Sequence, residues 1–250
     1  MARNRGRIGI IVPSSNTNLE PDCALLTPPG ITLHFTRVGG YDVDGIPDGE
    51  EMRHFASQSL SAALDLLTPA DVDFIAYGCT SATLASGPEF DQRFQAEITA
   101  KTGLPAVTAA GALVEALSTL EVSRIAFTSP YVAQLNLESI AFLSECGIEV
   151  VNHVGVGRDI SSREQGLLTP DDAYELGRRA DHSQAEALVI SCTDFRALEA
   201  LTALERDLDK PVVTSNQALM YASCVRLGLD TSAIKAGGRL FVEHSPKARD

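Results

Sequence analysis

Apolar runs of strand length alternate along the chain with longer stretches in which apolar residues recur at helical spacing. Short runs rich in Val and Ile that end at turn residues are typical of buried strands, and several helical stretches stop at a glycine, the usual residue after a helix. Strands that alternate with helices in this way are typical of parallel α/β sheets. The pattern predicts strands at 7–12, 31–38, 72–78, 105–108, 124–129, 148–154, 187–191 and 211–215, and helices at 50–67, 88–103, 109–120, 131–147, 170–183, 194–208 and 216–228.

The second half of this pattern repeats the first. RIGIIVPSSN, from residue 7, is matched by RIAFTSPYVA, from residue 124, so these two segments are 117 residues apart. LPAVTAAGALVEAL and KPVVTSNQALMYAS are 106 residues apart, and the Cys-Thr pairs at Cys79 and Cys192 are 113 apart. The three separations agree within the variation of loop lengths, so they indicate two similar lobes.

The repeat predicts an α/β fold of two similar Rossmann-like lobes, each built on a parallel four-stranded sheet and related to the other by a pseudo-two-fold axis. The predicted N-terminal lobe covers residues 1–118 and is joined by residues 216–250, while the C-terminal lobe covers 119–215. Ligands of open α/β sheets bind at the carboxyl ends of the strands. We therefore expect the active site in the cleft between the lobes, where both Cys-Thr pairs would meet.

The composition narrows the range of partners. The chain has 250 residues and a formal net charge of −13, which repels phosphate backbones and anionic lipid surfaces, so we expect no nucleic-acid and no membrane binding. No apolar run has the length of a transmembrane helix, and the apolar run near the N-terminus ends at Pro13 without the cleavage site of a signal peptide. Five widely spaced cysteines, an odd number, argue against a disulfide framework and predict a reduced, cytoplasmic protein.

Two thiols in equivalent turns are the main candidates for chemistry. Cys79 and Cys192 each stand at a predicted strand-to-helix turn, where unpaired amide N–H groups and the helix dipole favour the thiolate. The same N–H groups suit a substrate carboxylate, so an acidic protein can bind an acid without a basic patch. The residues expected to cap the two helices are Thr80, Ser81, Thr193 and Asp194.

The chemistry open to these thiols needs no metal or organic cofactor. Thiols on opposite sides of a cleft suit proton transfer at carbon, with one thiol serving each face of the substrate, and a cysteine can also add to an activated double bond. The chain has no phosphate-binding P-loop, the segment GVGRDI at 155–160 lacks the last small residue of a dinucleotide fingerprint, and the five histidines lack metal-ligand spacing. We therefore predict a site with no metal and no cofactor.

Several segments resemble a known group of enzymes. They are IIVPSSNTNLEPD, GCTS, SPYVAQLN, SCTD and AGGRLF, which are spread over nearly the whole chain. Together they resemble the aspartate/glutamate racemase superfamily and, within it, the branch of maleate cis-trans isomerases, arylmalonate decarboxylases and ectoine-utilisation racemase-like proteins. The resemblance implies a two-lobed, pseudo-symmetric α/β fold with cofactor-independent chemistry between Cys79 and Cys192.

The resemblance also implies roles for individual residues. In maleate isomerases the first cysteine adds to the double bond of maleate, the adduct rotates about the carbon–carbon bond and collapses to fumarate, and the second cysteine assists. On this basis Cys79 is the nucleophile and Cys192 is the acid/base partner. We expect Ser15 to be a turn residue at the substrate rather than a nucleophile, because no histidine partner is near it in the sequence. The predicted substrate-binding residues are Ser15, Asn16, Thr80, Ser81, Tyr131 and Thr193.

The pair of cysteines favours some members of this branch over others. Decarboxylases of the group keep only the later cysteine, with glycine at the earlier place, so Cys79 and Cys192 together favour isomerisation or racemisation. Maleate isomerases also carry an asparagine in the loop that reads GVGRDISSREQG here, where Asp159, Ser161 and Ser162 are the nearest candidates. The choice of substrate therefore stays open.

Our first hypothesis is an isomerase of a small carboxylate, which converts maleate to fumarate through a cysteine thioether. The alternatives are a two-cysteine racemase of an amino-acid derivative, an arylmalonate-type decarboxylase and, outside the enzymes, a carboxylate-binding sensor. The resemblance further predicts a homodimer or homotetramer. The acidic, glycine-rich loop at 39–51 is a candidate lid over the cleft, with a solvated connection as the alternative.

Overall fold

Two parallel sheets organise the chain. The computed structural model describes residues 6–246, so the outermost parts of the predicted lobes, 1–5 and 247–250, lie outside the described residues. The strands are β1 (Gly6–Pro13), β2 (Ile31–Val38), β3 (Phe74–Tyr77), β4 (Ala106–Thr108), β5 (Arg124–Ser129), β6 (Glu149–Gly155), β7 (Ala187–Ile190) and β8 (Val212–Thr214). Their order is β2-β1-β3-β4 in the first sheet and β6-β5-β7-β8 in the second, and the pairings are parallel. The predicted α/β fold with two four-stranded parallel sheets is confirmed.

The helices follow the predicted alternation, with four short additions. They are α1 (Leu19–Leu25), α2 (Gly49–Leu67), α3 (Thr80–Leu84), α4 (Pro88–Thr102), α5 (Ala109–Thr119), α6 (Ala133–Glu145), α7 (Ser162–Gly166), α8 (Pro170–Ala180), α9 (Leu198–Leu208), α10 (Ser215–Leu227) and α11 (Gly238–Glu243). The predicted ranges include none of α1, α3, α7 and α11, because five to seven residues are too few to show a helical period. Between residues 6 and 246, no helix combines the length and apolar character needed to cross a membrane.

One apolar core runs through both sheets. α5 packs against α10, α5 also contacts β8, and α10 also contacts β3 and β4. The buried cluster accordingly includes Ile8 and Val107 of the first sheet together with Ile125 and Val212 of the second. Burying one such side chain contributes roughly 1.5–3 kcal/mol, so this shared core stabilises the contact between the two sheets. The core therefore fixes the position of the carboxyl ends of the strands in one sheet relative to those in the other.

The boundaries of the two lobes stay a prediction. α10, which was predicted to join the N-terminal lobe, contacts α1 and α5 but also β8. α11 contacts α9 and β8, which precede it in the second half of the chain. α10 therefore contacts elements of both halves, whereas α11 packs on elements of the second half.

Candidate active site

The predicted site residues come together in one cavity at the carboxyl ends of the central strands. Ser15 and Asn16 follow β1, Cys79 follows β3, and Tyr131 and Cys192 follow β5 and β7. The crevice outside the carboxyl ends of strands is where ligands of open α/β sheets bind. The cavity, counted together with its mouth that opens to solvent, holds about 440 Å³ of space free of protein atoms. All eight predicted residues line it: Ser15, Asn16, Cys79, Thr80, Ser81, Tyr131, Cys192 and Thr193.

The first Cys-Thr turn leads directly into a short helix. Gly78 lets the chain pass close to α1, because a Cβ at this position would overlap the side chain of Leu19. Cys79 then has an extended backbone, with φ of −134°, and is the residue that precedes α3. Burial raises the pKa of the Cys79 thiol, while hydrogen bonds from the Ala82 amide and the Ser81 hydroxyl act to lower it. This turn offers the thiolate partial stabilisation against the effect of burial.

The second Cys-Thr turn is built differently. Cys192 has φ of +126°, in the region that residues other than glycine rarely adopt. Its amide N–H donates to Ser215 Oγ at 3.1 Å, and its sulfur accepts the Asp194 N–H at 3.4 Å. The Cys192 thiol faces Gln165 Oε1 at 3.8 Å. Cys192 is therefore held through its amide by α10, and through its sulfur by its own turn and by Gln165 of α7.

The prediction of a helix N-terminus at Cys192 was wrong. α9 begins at Leu198, because Asp194 does not cap a helix but accepts hydrogen bonds from Thr17 N and Asn18 Nδ2, both at 2.9 Å, in the first half of the chain. Burial raises the pKa of the Cys192 thiol strongly, and the negative charge of Asp194 raises it further. The second turn therefore favours the protonated thiol, contrary to the expected thiolate.

The capping predicted for the first turn was also wrong, because the hydroxyls have other partners. α3 has no side-chain cap, and the Thr80 hydroxyl donates to Ser215 Oγ at 2.9 Å. The Ser81 hydroxyl lies 3.3 Å from the sulfur of Met52 and 3.7 Å from that of Cys79, so it can donate its one proton to either sulfur. The backbone amides of Thr80 and Ser81 therefore remain available to a ligand that enters the cavity, while the Ala82 amide donates to the sulfur of Cys79.

Asn16 and Thr193 connect the two halves across the cavity. Asn16 Oδ1 accepts the amides of Asn18 and Leu19, which fixes the turn after β1. Asn16 Nδ2 donates to Thr193 Oγ1 at 3.1 Å, and Thr193 Oγ1 donates in turn to the Gly78 carbonyl at 2.9 Å. The second N–H of the Asn16 amide has no partner among residues 6–246, so it is free to donate to a bound acid.

Two phenols lie at the cavity. Tyr131 is buried, and its hydroxyl is 3.2 Å from Ser191 Oγ. Burial holds the pKa of Tyr131 well above its ordinary value, so the phenol stays neutral and can donate a hydrogen bond. The Tyr41 hydroxyl is 2.6 Å from Ser15 Oγ, and burial raises the pKa of Tyr41 as well. Tyr131 was predicted from the sequence, whereas Tyr41 was not.

The loop that contains Tyr41 covers one side of the cavity. Tyr41 and Pro47 both line the cavity, and both belong to the segment 39–51 that was predicted as a candidate lid. Arg163 holds this segment through an ion pair with Asp44 at 2.6 Å and a backbone hydrogen bond to Val43 at 3.0 Å. The loop thus bridges the two halves above the site, and its movement stays a prediction.

The loop before α8 contributes a residue that the sequence analysis missed. Of the three candidates in this loop, Asp159 is exposed, Ser161 caps α7, and Ser162 lines the cavity. Gln165 also lines the cavity, and its Nε2 is buried without a hydrogen-bond partner among the described residues. An unsatisfied buried amide costs roughly 1–3 kcal/mol, so Gln165 is poised to donate to a ligand. The only sequence signal for it is its place in this loop, because α7 is too short to be predicted.

The electrostatics of the cavity are set by dipoles and one carboxylate. Among the described residues that line the cavity there is no Lys, Arg or His, and Asp194 is the acidic one. Burial raises the pKa of Asp194 to about 6, while the Thr17 amide and Asn18 act to lower it. Within residues 6–246, no group of three or more His, Cys, Asp or Glu side chains is placed to hold a metal ion. An acid bound here would be held by N–H and O–H groups.

The fold and the site define a class of protein: two-sheet α/β proteins with paired cysteines at the carboxyl ends of equivalent strands. A family model described as arylmalonate decarboxylase, Amdase, matches residues 8–241. The chain therefore belongs to this family, and the predicted branch of the superfamily is confirmed.

Maleate isomerases are among the proteins similar to this chain. The maleate isomerase of Nocardia farcinica is 30% identical over 249 residues, which cover 96% of each chain. The maleate isomerase of Geobacillus stearothermophilus is 29% identical over 248 residues, which cover 94% of this chain and 96% of the relative. A solved structure of a cysteine-to-serine mutant of the Nocardia farcinica maleate cis-trans isomerase, with a covalently bound succinylcysteine intermediate, has a TM-score of 0.86 and 26% identity and covers 95% of this chain and 98% of its own.

Proposed function

We propose that this protein is a cofactor-independent isomerase that converts maleate to fumarate, with Cys79 as the nucleophile and Cys192 as the acid/base partner. The observation that carries the proposal is the placement of Cys79 and Cys192 on one cavity lined by hydrogen-bond donors. The similarity to maleate isomerases over nearly the whole chain supports it. The succinylcysteine intermediate of the related structure supports a covalent route through cysteine.

In the proposed reaction, the Cys79 thiol first loses its proton to solvent. The thiolate adds to one alkene carbon, the electron pair of the double bond moves to the other carbon, and that carbon takes the proton of the Cys192 thiol. The product is a succinyl thioether on Cys79 and a thiolate on Cys192. After rotation about the carbon–carbon single bond, the Cys192 thiolate removes the same proton, the double bond forms again, and the carbon–sulfur bond breaks to give fumarate and the Cys79 thiolate.

The two environments support this division of roles. Cys79 receives hydrogen bonds from the Ala82 amide and the Ser81 hydroxyl, which favour its charged form against burial. Cys192 lies beside Asp194, whose charge adds to burial in favouring the protonated form. A thiol that keeps its proton serves as the acid, and a thiol that releases it more readily serves as the nucleophile.

The substrate carboxylates would be bound by neutral donors. The cavity offers the free N–H of Asn16, the phenol of Tyr131, the unpaired Nε2 of Gln165 and the amides at the start of α3. We assign Ser15, Thr80, Ser81 and Thr193 to the same cradle. Thr80 and Thr193 would act through their backbone amides, because their hydroxyl protons are already donated to Ser215 and Gly78.

The test is turnover in deuterated water followed by proton NMR. Maleate, aspartate, an N-acetylated diamino acid and an arylmalonate are incubated separately with the protein. Fumarate signals that disappear in the Cys79→Ser variant support the proposal. Deuterium at Cα with loss of optical activity would instead indicate a racemase, loss of a carboxyl group a decarboxylase, and thermal stabilisation by ligand without turnover a sensor.

We further propose that the protein is a cytoplasmic homodimer or homotetramer. All five cysteines are free, which suits a reducing compartment. Light scattering coupled to size-exclusion chromatography measures the mass of the assembly, and a monomer at micromolar concentration would contradict the oligomer.

A further inference from the structure

Ser215 lies behind both Cys-Thr turns and contacts each of them. It is the first residue of α10, it is fully buried, and it is not among the residues that line the cavity. Its Oγ accepts the N–H of Cys192 at 3.1 Å and the hydroxyl of Thr80 at 2.9 Å. One oxygen atom therefore connects the turn of the proposed nucleophile to the turn of the proposed acid.

The backbone of Cys192 needs such a contact. A residue other than glycine at φ of +126° persists only where its surroundings determine that conformation. On the C-terminal side of the strained residue, Asn216 Nδ2 donates to the Thr193 carbonyl at 3.1 Å. At the strained residue itself, the amide is held by Ser215. Neighbouring residues at the start of α10 thus fix the peptide groups of this turn.

The internal repeat supplies a natural comparison for Ser215. Thr108 and Thr214 occupy equivalent places 106 residues apart, and the side chain of each caps the helix that follows. The next residue is Ala109 in the first half and Ser215 in the second. The half with alanine carries Cys79 at an ordinary φ, whereas the half with the serine hydroxyl carries the strained Cys192. The extra hydroxyl therefore accompanies the unusual turn.

We propose that Ser215 is a positioning residue that holds the backbone of Cys192 so that its sulfur faces the substrate and exchanges a proton with the Cys79 adduct. Through Thr80 it also fixes the position of the second turn relative to the first. The inference rests on the proposed isomerase function, since it assigns Ser215 to the step that Cys192 performs. Loss of the Ser215 hydroxyl should slow this proton transfer and leave substrate binding largely intact.

The first experiment compares Ser215→Ala with Ser223→Ala. Ser223 is on the same helix and is also fully buried, but its hydroxyl donates to the Leu219 carbonyl within the helix. We expect Ser215→Ala to lower kcat about 10- to 100-fold with little change in KM, because small displacements of reacting groups have effects of this order. Ser223→Ala should keep the kcat of the natural chain. Ser215→Thr, which restores a hydroxyl, should recover most of the loss.

Mass spectrometry of the intact protein with maleate distinguishes positioning from general damage. Water can still protonate the carbanion left by Cys79 addition, whereas a displaced Cys192 removes that proton slowly, so the thioether on Cys79 should accumulate in Ser215→Ala and not in Ser223→Ala. A second measurement does not depend on maleate: alkylation by iodoacetamide, mapped by peptide, should change at Cys192 relative to Cys79 in Ser215→Ala alone.

The outcomes separate the two proposals. If the natural chain shows no turnover of maleate, the proposed function fails, and the alkylation ratio still decides whether Ser215 positions Cys192. If the natural chain is active but Ser215→Ala and Ser223→Ala have the same kcat, adduct fraction and alkylation ratio, the inference about Ser215 is overturned. Thermal unfolding of each variant shows whether a loss of kcat follows a loss of folded protein.

Discussion

The two Cys-Thr turns come from equivalent places in an internal repeat, yet they have different structures. Cys79 has an extended backbone and precedes helix α3, while Cys192 has a left-handed φ and is followed by a turn that packs on the first half of the chain. Only the second turn has a buried carboxylate, Asp194, beside the thiol. The difference teaches that a repeat can supply two thiols at one cavity while their surroundings give them different chemistry.

The largest effect should come from replacing either thiol. Cys79→Ser removes the nucleophile, and we expect kcat/KM for maleate to fall by about 10⁴-fold or more, as for the removal of a covalent nucleophile elsewhere. Cys192→Ser should also be inactive: water can protonate the carbanion in place of the thiol, but no thiolate remains to remove that proton again, so a covalent adduct on Cys79 should accumulate and be visible in the mass of the intact protein. Cys146→Ser, outside the cavity, is the control. An adduct on Cys192 in the Cys79→Ser variant would reverse the assigned roles.

A smaller but clear effect should follow from changing Gln165. Gln165→Leu keeps the approximate size of the side chain and removes its amide, so maleate binding should weaken about 10- to 100-fold, the range for one buried hydrogen bond to a charged group. The thermal stability should hold or rise, because the buried Nε2 has no partner among the described residues. Titration calorimetry with the unreactive diacid succinate measures the affinity. Unchanged affinity together with a lower Tm would assign Gln165 a purely structural role.

Asp194→Asn tests why the two thiols differ. The substitution removes the negative charge that raises the pKa of Cys192, so this pKa should fall. Asparagine keeps an oxygen to accept from Thr17 N and Asn18 Nδ2. The rate of Cys192 alkylation by iodoacetamide should therefore increase at fixed alkaline pH, while the rate at Cys79 changes less. Equal changes at both cysteines would show that Asp194 does not distinguish them.

The same carboxylate should affect the pH dependence of stability. The pKa of Asp194 is raised to about 6 in the folded chain, compared with about 4 for an unperturbed Asp, so between these values the folded state binds the proton more tightly. The tighter binding of the Asp194 proton therefore stabilises the folded state most below about pH 4, by up to about 3 kcal/mol. This stabilisation is lost as the pH rises to about 6. Denaturant titrations of the natural chain and Asp194→Asn should diverge across this window. Parallel curves would contradict the pKa shift.

The smallest effect should come from Arg163. Its ion pair with Asp44 is exposed, and such pairs contribute roughly 0–1 kcal/mol. Arg163→Ala should therefore change KM for maleate less than about fivefold, because two backbone hydrogen bonds still hold the loop. Steady-state kinetics measure KM. The control is Arg93→Ala, which removes an exposed ion pair on α4. A change in kcat of tenfold or more would mean that loop movement limits turnover.

The sequence predicted the strands and the convergence of the thiols well because buried parallel strands leave a clear apolar signal. β2 and β5 have the bounds predicted for them, and the repeat alone indicated that Cys79 and Cys192 share a cleft. The conformation of the second Cys-Thr turn could not be predicted from the sequence, because it depends on Ser215 and Asn18, which are distant from this turn in the sequence. Gln165 was missed for a similar reason, since the five-residue helix that places it has no periodic pattern.

A cavity without basic side chains, in a chain of net charge −13, has a consequence for how fast an anionic substrate arrives. The long-range electrostatic field of the protein opposes the approach of a dianionic acid, and only short-range dipoles in the cavity favour its binding. Dissolved salt shortens the reach of that field, from about 30 Å at 0.01 M to about 8 Å at 0.15 M. Capture of the substrate should therefore become faster as ionic strength rises, whereas an enzyme with a basic funnel would become slower.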